Sequence, residues 1–151
     1  MSASAAQLLL QTVGALPAEI ERRRVNAAVY SSALHSESAV KLPAVPLDSM
    51  PGFLRFPLRV LPGSAALQTS SAALGILPSY PMSLRTLPPL APFLRNASAG
   101  FPGADALVDQ LVTLPTHSFV SARDRQMVIS ELLKLSTQQK AGRSHLESAQ
   151  R

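Results

Sequence analysis

The sequence predicts an α+β fold: a small, mainly antiparallel sheet packed by helices, with a bent helical pair at the N-terminal end. Three observations lead there. Apolar residues recur at helical spacing near both ends, as at Ala6, Leu9, Leu10 and Val13. They alternate with period two through Leu54, Phe56, Leu58 and Val60. Between these stretches, 13 prolines against 7 glycines interrupt the chain too often for long helices. With 151 residues and 46% hydrophobic content, the chain suits one domain with a real core. We expect residues 1–36 to be a helical segment leading into the domain, 37–136 the domain itself, and 137–151 a disordered tail.

In chain order, residues 3–15 read as a short helix. Pro17 then sits where a first helical turn tolerates it, with Glu19 and Glu21 close behind at the electropositive end. This second helix runs to about Leu34, with Ile20, Ala27 and Leu34 on one face and Arg22–Arg24 as a solvated one. Residues 38–52 hold three prolines and read as an extended connection with at most one short strand. Residues 53–61 are the best strand, and Pro57 argues for an edge or an outward-facing N–H. A helix over 65–74, capped by Gly75, and a short apolar run at Ile76-Leu77 complete a β-α-β order.

Residues 82–102 are proline-rich and read as irregular. Asn96-Ala97-Ser98 fits the glycosylation triplet but reads as a chance loop triplet. Ala104, Leu107, Val108 and Leu111 predict a helix over 103–112, which Thr113-Leu114-Pro115 ends. Ser121 with Asp124 resembles a capping box for the last helix, whose stripe is Val128, Leu132 and Leu135.

Several function classes drop out. No cysteine is present, which excludes disulfides, thiolate nucleophiles and Cys-ligated zinc. His35, His117 and His145 are too scattered for a metal site. The net charge of +5 comes from 11 arginines and 3 lysines spread along the chain, without interleaved aromatics. Nucleic-acid binding therefore rests on charge alone. No apolar run has the length of a membrane span, and the basic start of a secretory signal is missing. A mitochondrial transit peptide is a fairer rival, against which Glu19 and Glu21 count. We expect a cytoplasmic protein.

No spacing marks an active site. There is no G-x-S-x-G, no G-x-G-x-x-G and no phosphate-binding G-x-x-x-x-G-K-[ST]. His117 reads as structural, its ring satisfying backbone groups in the connection to the last helix. Tyr80, on a turn after a short strand, suits either a substrate contact or a buried ring with a wet hydroxyl.

Taken together, these residues resemble a known family. Phe101-Pro102-Gly103-Ala104, then Leu114-Pro115-Thr116-His117, then Ser121-Ala122-Arg123-Asp124 are similar to the C-terminal end of the DegT/DnrJ/StrS sugar aminotransferases. Glu21 to Tyr30, with Leu34, resembles that family's "I-x-x-R-R-x-x-A-x-x-Y-x-x-x-L" helix, Arg55-Phe56-Pro57 its "RFP" strand, and Gly75-Ile76 through Tyr80-Pro81 its "GI…YP" strand and turn. The resemblance covers about residues 3–135.

It implies part of a pyridoxal-phosphate enzyme acting on nucleotide sugars, usually a homodimer with active sites at the subunit interface. It also implies that this chain matches only the small C-terminal domain and its lead-in helix. The Schiff-base lysine, the aspartate on the pyridine nitrogen and the phosphate loop belong to the family's larger N-terminal domain. Lys41, Lys134 and Lys140 are not credible substitutes, so no catalytic or cofactor-binding residue is expected here. Many members carry histidines on either side of Tyr-Pro, where this chain has Ser79 and, roughly, Arg85. Ser79, Tyr80 and Arg85 are thus the substrate-side candidates. The expectation is a fragment or one half of a split enzyme, without catalysis of its own. A stand-alone interaction or dimerisation module derived from that domain is the alternative.

Overall fold

The computed structural model describes residues 2–60, 71–95 and 100–134. Helix α1 spans Ala3–Val13 and α2 spans Leu16–Leu34. The Ser2 hydroxyl accepts the Ala5 N–H at 3.2 Å, capping α1. Pro17 lies in the first turn of α2, where its missing N–H costs nothing. Gly14 (φ −62°, ψ −27°) and Ala15 (φ −86°, ψ −12°) form the turn between the two helices, closed by the Ala15 N–H on the Thr12 carbonyl at 3.0 Å.

Four strands form one antiparallel sheet: β1 (Val40–Lys41), β2 (Arg55–Val60), β3 (Leu77–Pro78) and β4 (Leu111–Pro115), in the order β1-β2-β4-β3. Helix α3 spans Pro102–Gln110, and α4 occupies 122–134. Short 3-10 turns lie at Ala72–Leu74, Leu84–Thr86 and Pro88–Phe93. The core joins one face of the sheet (Phe56, Leu58, Val60, Val112, Leu114) to α2 (Ala27, Tyr30, Leu34) and α4 (Val128, Ile129, Leu132). Tyr30 and Phe56 meet with ring centroids 6.0 Å apart.

Four sequence expectations change. The helix predicted over 103–112 stops at Gln110, and Leu111 (φ −80°, ψ 117°) starts an inner strand. β-branched Val112 and Thr113 suit that strand, and Leu114 is wholly buried in it. β2 begins only at Arg55, because Phe53 is left-handed (φ 45°) and turns Leu54 out to solvent. β2 is also an inner strand, not an edge. Yet β1 covers only its Arg59–Val60 end, so among the described residues Pro57, opposite Thr113 of β4, has no strand on its other side. Finally, β4 separates β2 from β3, so these two run the same way without pairing.

The predicted helix over 65–74 lies mostly outside the described residues, and its visible end is the 3-10 turn closed by left-handed Gly75 (φ 73°). The Asn96 triplet, Leu135 and the tail also lie outside them.

Candidate functional site

The Pro115–Val120 corner is held by side chains from two elements, α2 and α4. Asn26, fully buried on α2, donates from Nδ2 to the Thr116 and His117 carbonyls at 2.8 and 3.2 Å. Its Oδ1 accepts from Arg125 Nη1 of α4 at 2.7 Å. Tyr30 donates its hydroxyl to the Pro115 carbonyl at 3.0 Å. Burial pushes the Tyr30 phenol up to about 12. Buried carbonyls need such donors, and here α2 and α4 provide them. The Glu19 carboxylate accepts the Ser118 N–H at 3.3 Å. Hydrogen bonding from Ser118, with the Arg23 charge, holds that carboxyl below its ordinary range against the opposing effect of burial.

The arginines of α2 are not simply a solvated face. Arg23 bonds Glu19 at 2.8 Å and donates to the Leu54 carbonyl at 2.7 Å. Arg24 donates to the Pro51 and Met50 carbonyls at 3.2 and 3.0 Å. Arg22 alone remains exposed as expected. Thr116 Oγ1 donates to the Phe53 and Leu54 carbonyls at 2.6 and 3.1 Å. These bonds offset the roughly 1–3 kcal/mol that a left-handed non-glycine residue costs.

Arg55 ties β2 to β4 through Thr113 Oγ1 (2.7 Å) and the Thr113 carbonyl (2.8 Å), and it also donates to the Gly75 carbonyl. Burial lowers the pKa of this guanidinium.

The His117 Nδ1 does not serve the backbone as expected. It is buried without a partner, and it is the His117 carbonyl that accepts, from Asn26 and from the Val120 N–H. The ring borders a cavity of about 260 Å³ with Phe119, Asp124 and Met127. A second, apolar cavity of about 330 Å³ lies between α2 and the 43–53 connection, walled by Ala27, Ala28, Phe53 and Phe56. The Ser121–Asp124 capping box forms as predicted, with Ser121 N–H to Asp124 Oδ2 at 2.9 Å and Asp124 N–H to Ser121 Oγ at 3.1 Å.

The three substrate-side candidates follow the edge strand β3. Ser79 is half-buried, and its N–H donates to the Leu111 carbonyl at 3.0 Å, which extends the β3–β4 pairing. Tyr80 is mostly exposed. Arg85, in the Leu84–Thr86 turn, pairs through Nη2 with Asp105 of α3 at 3.3 Å, while its Nε is buried without a partner. Among the described residues, no hydrogen bond joins the three to one another. None of them borders the two cavities.

Asn26 and Arg125 were not singled out from sequence. A usable signal exists for Asn26: asparagine is a poor helix former, so its place among Ala27 and Tyr30 asks for a tertiary partner.

An antiparallel sheet backed by two helices, with this corner strapped between them, makes an α+β unit. An aminotransferase of the DegT DnrJ EryC1 StrS type from Brucella abortus superposes with TM-score 0.71 at 23% identity, over 85% of this chain and 34% of that one. DesV from S. venezuelae, solved with a ketimine intermediate, gives TM-score 0.75 at 23% identity, over 85% and 35%. The sugar aminotransferase CalS13 from Micromonospora echinospora gives 0.68 at 25% identity, over 83% and 32%. The chain thus spans about a third of the length of these structures. The sequence profile of the DegT/DnrJ/EryC1/StrS aminotransferase family matches residues 1–133, and the chain belongs to that family. Comparison with curated proteins gave no match.

Pyridoxal phosphate, which the family implies, needs a lysine amine, an acidic partner for its ring nitrogen and a phosphate cradle. Lys41 is exposed on β1. Lys134 is 70% exposed and pairs with Glu131 at 3.1 Å. Neither lysine borders a described cavity, and Lys140 lies outside the described residues. The described residues do not fit the cofactor. Among them, no group of three His, Asp or Glu could hold a metal, and no helix is long and apolar enough to cross a membrane.

Proposed function

We propose that this chain acts as the C-terminal domain of a pyridoxal-phosphate-dependent nucleotide-sugar aminotransferase, working in the cytoplasm in a homodimeric enzyme. The observation that carries this reading is the pairing of a family match over residues 1–133 with two described lysines that border none of the described cavities. The fold is the family's, but the cofactor chemistry must be supplied by the rest of the family's architecture. In this role the chain's own residues bind and orient. Ser79 and Tyr80 offer hydroxyls to a sugar, and Arg85 offers a guanidinium to the phosphates of a nucleotide sugar. The half-exposed Arg85–Asp105 pair can exchange Asp105 for such an anion.

The test is transamination of a nucleotide sugar by the isolated chain and by the chain assembled with a lysine-bearing partner domain. Turnover is expected only from the assembly, and turnover by the chain alone would sink the proposal. In the assembly, Arg85→Ala should raise KM about tenfold, the scale of one lost charged hydrogen bond. An unchanged KM would remove Arg85 from the substrate side.

A second reading is a stand-alone interaction or dimerisation module. It is favoured by α1, none of whose residues is buried. A sharp monomer at high concentration would count against it.

A further inference from the structure

Between Asp48 and Asp105 the chain has no acidic residue but four arginines: Arg55, Arg59, Arg85 and Arg95. Arg85 pairs with Asp105, Arg55 is engaged by Thr113 and the Gly75 carbonyl, and Arg95 is exposed in a turn. Arg59 is placed differently. On β2 it lies directly opposite Lys41 of β1. Strand alternation puts both on the outer face of the sheet, because the next pair, Val40 and Val60, enters the core. Like charges directly opposite across two strands repel, which calls for compensation. Among the described residues, neither cation forms an ion pair.

Arg59 is nevertheless held in place. Gln110, the last residue of α3, accepts from Arg59 Nε at 3.1 Å and from Nη2 at 2.5 Å through its side-chain carbonyl oxygen. A glutamate there could take the same two donors and cancel the charge. The chain has an amide instead, so the guanidinium is oriented while its charge is kept. Three Arg59 N–H groups remain, two on Nη1 and one on Nη2, beside the three of the Lys41 ammonium. Lys41 is exposed and Arg59 half-buried. A directly opposed pair sets its Cβ atoms about 5 Å apart, so one compact ligand can reach both cations. That ligand needs several acceptor oxygens and roughly two negative charges. A carboxylate or a phosphodiester, with one charge, leaves one cation unmatched. A phosphate dianion matches both.

We propose that Lys41 and Arg59 bind a phosphate dianion on the outer face of the sheet, as the free ion or as the head of a phosphomonoester, with Gln110 positioning Arg59. The site does not depend on the aminotransferase reading, which uses none of these three residues.

Calorimetric titration of the full chain at low ionic strength tests this, with inorganic phosphate, phenyl phosphate and dimethyl phosphate as probes. The first two are expected to bind saturably, one per chain, about tenfold or more tightly than the diester, the scale of one charged hydrogen bond. Tighter binding of phenyl phosphate than of inorganic phosphate assigns the site to a phosphomonoester, and otherwise it belongs to the free ion. Lys41→Met and, separately, Gln110→Glu should each weaken phosphate binding about tenfold or more. Neither should lower the melting temperature, because Lys41 is exposed and a glutamate keeps the acceptor for Arg59. Should Gln110→Glu disturb the fold, Lys41→Met decides alone. The absence of saturable binding, a diester bound as tightly as the monoester, or an affinity unmoved by Lys41→Met would each overturn the proposal.

Discussion

Replacing Asn26 by alanine is the sharpest test of how the Pro115–Val120 corner is held. The change deletes two hydrogen bonds to the Thr116 and His117 carbonyls and one from the Arg125 guanidinium. Neutral bonds are worth about 1 kcal/mol each and charged ones about 1.5–3 kcal/mol, before any penalty for stranded carbonyls. Arg125 is half-buried and can turn towards solvent, whereas Thr116 is fully buried and its carbonyl cannot. We therefore expect a loss of about 3–4 kcal/mol, a large part of the roughly 5–15 kcal/mol that holds a domain together. In urea the midpoint should fall by about 1–2 M at an ordinary slope.

Asn26→Asp keeps the shape but puts a carboxylate oxygen where the Nδ2 donor met two carbonyls. It should be about as damaging at neutral pH and recover as the pH falls and the acid regains a proton to donate. A loss under about 1 kcal/mol for Asn26→Ala would show that the corner is held by packing and not by these donors. An aspartate variant indifferent to pH would refute the donor argument by a separate route.

Three further outcomes can be checked on the same chain. The Tyr30 phenol titrates at about 12 in the fold, against an ordinary value near 10. Between those values the unfolded chain loses a proton that the folded one keeps, so stability should fall by about 1.4 kcal/mol per pH unit above pH 10. Tyr30→Phe should abolish that alkaline slope in denaturation curves, and a slope that persists in the variant would contradict the assignment. Gly75→Ala places a Cβ 3.3 Å from Pro115 at φ 73° and should cost about 1–3 kcal/mol, read as a lowered urea midpoint; no change would mean that the turn is free to rearrange. Hydrogen bonds from Ser121 hold the Asp124 carboxyl below its ordinary range. Their stabilisation is present above the ordinary carboxyl pKa and lost as pH falls through the depressed one, so Ser121→Ala should flatten the acid limb of a stability–pH profile. An acid limb identical to that of the parent would refute the capping box.

Local chemistry is the part of this protein that its sequence determines unaided. The Ser121–Asp124 box, left-handed Gly75, Pro17 in the first turn of α2 and the alternation of Phe56, Leu58 and Val60 each depend on residues within a few positions of one another. The α+β class follows from the same short-range patterns. Family membership was legible too, because its motifs are runs of residues whose order the chain preserves.

Tertiary structure decided the rest. Leu111 satisfies a helical period through Ala104, Leu107 and Val108, yet it opens β4, because pairing on both sides, with β2 and β3, outweighs one more turn of α3. Asn26, Arg55 and Arg125 look like surface polar residues until distant carbonyls and side chains become their partners, up to 99 positions away for Asn26 and Arg125. The candidate site was legible only as residue names: Ser79, Tyr80 and Arg85 follow the same edge strand, and Arg85 is held by Asp105 from α3. Short-range patterns record what a residue prefers. Which carbonyl it must satisfy, and which strand it must join, is set by long-range packing that no local window contains.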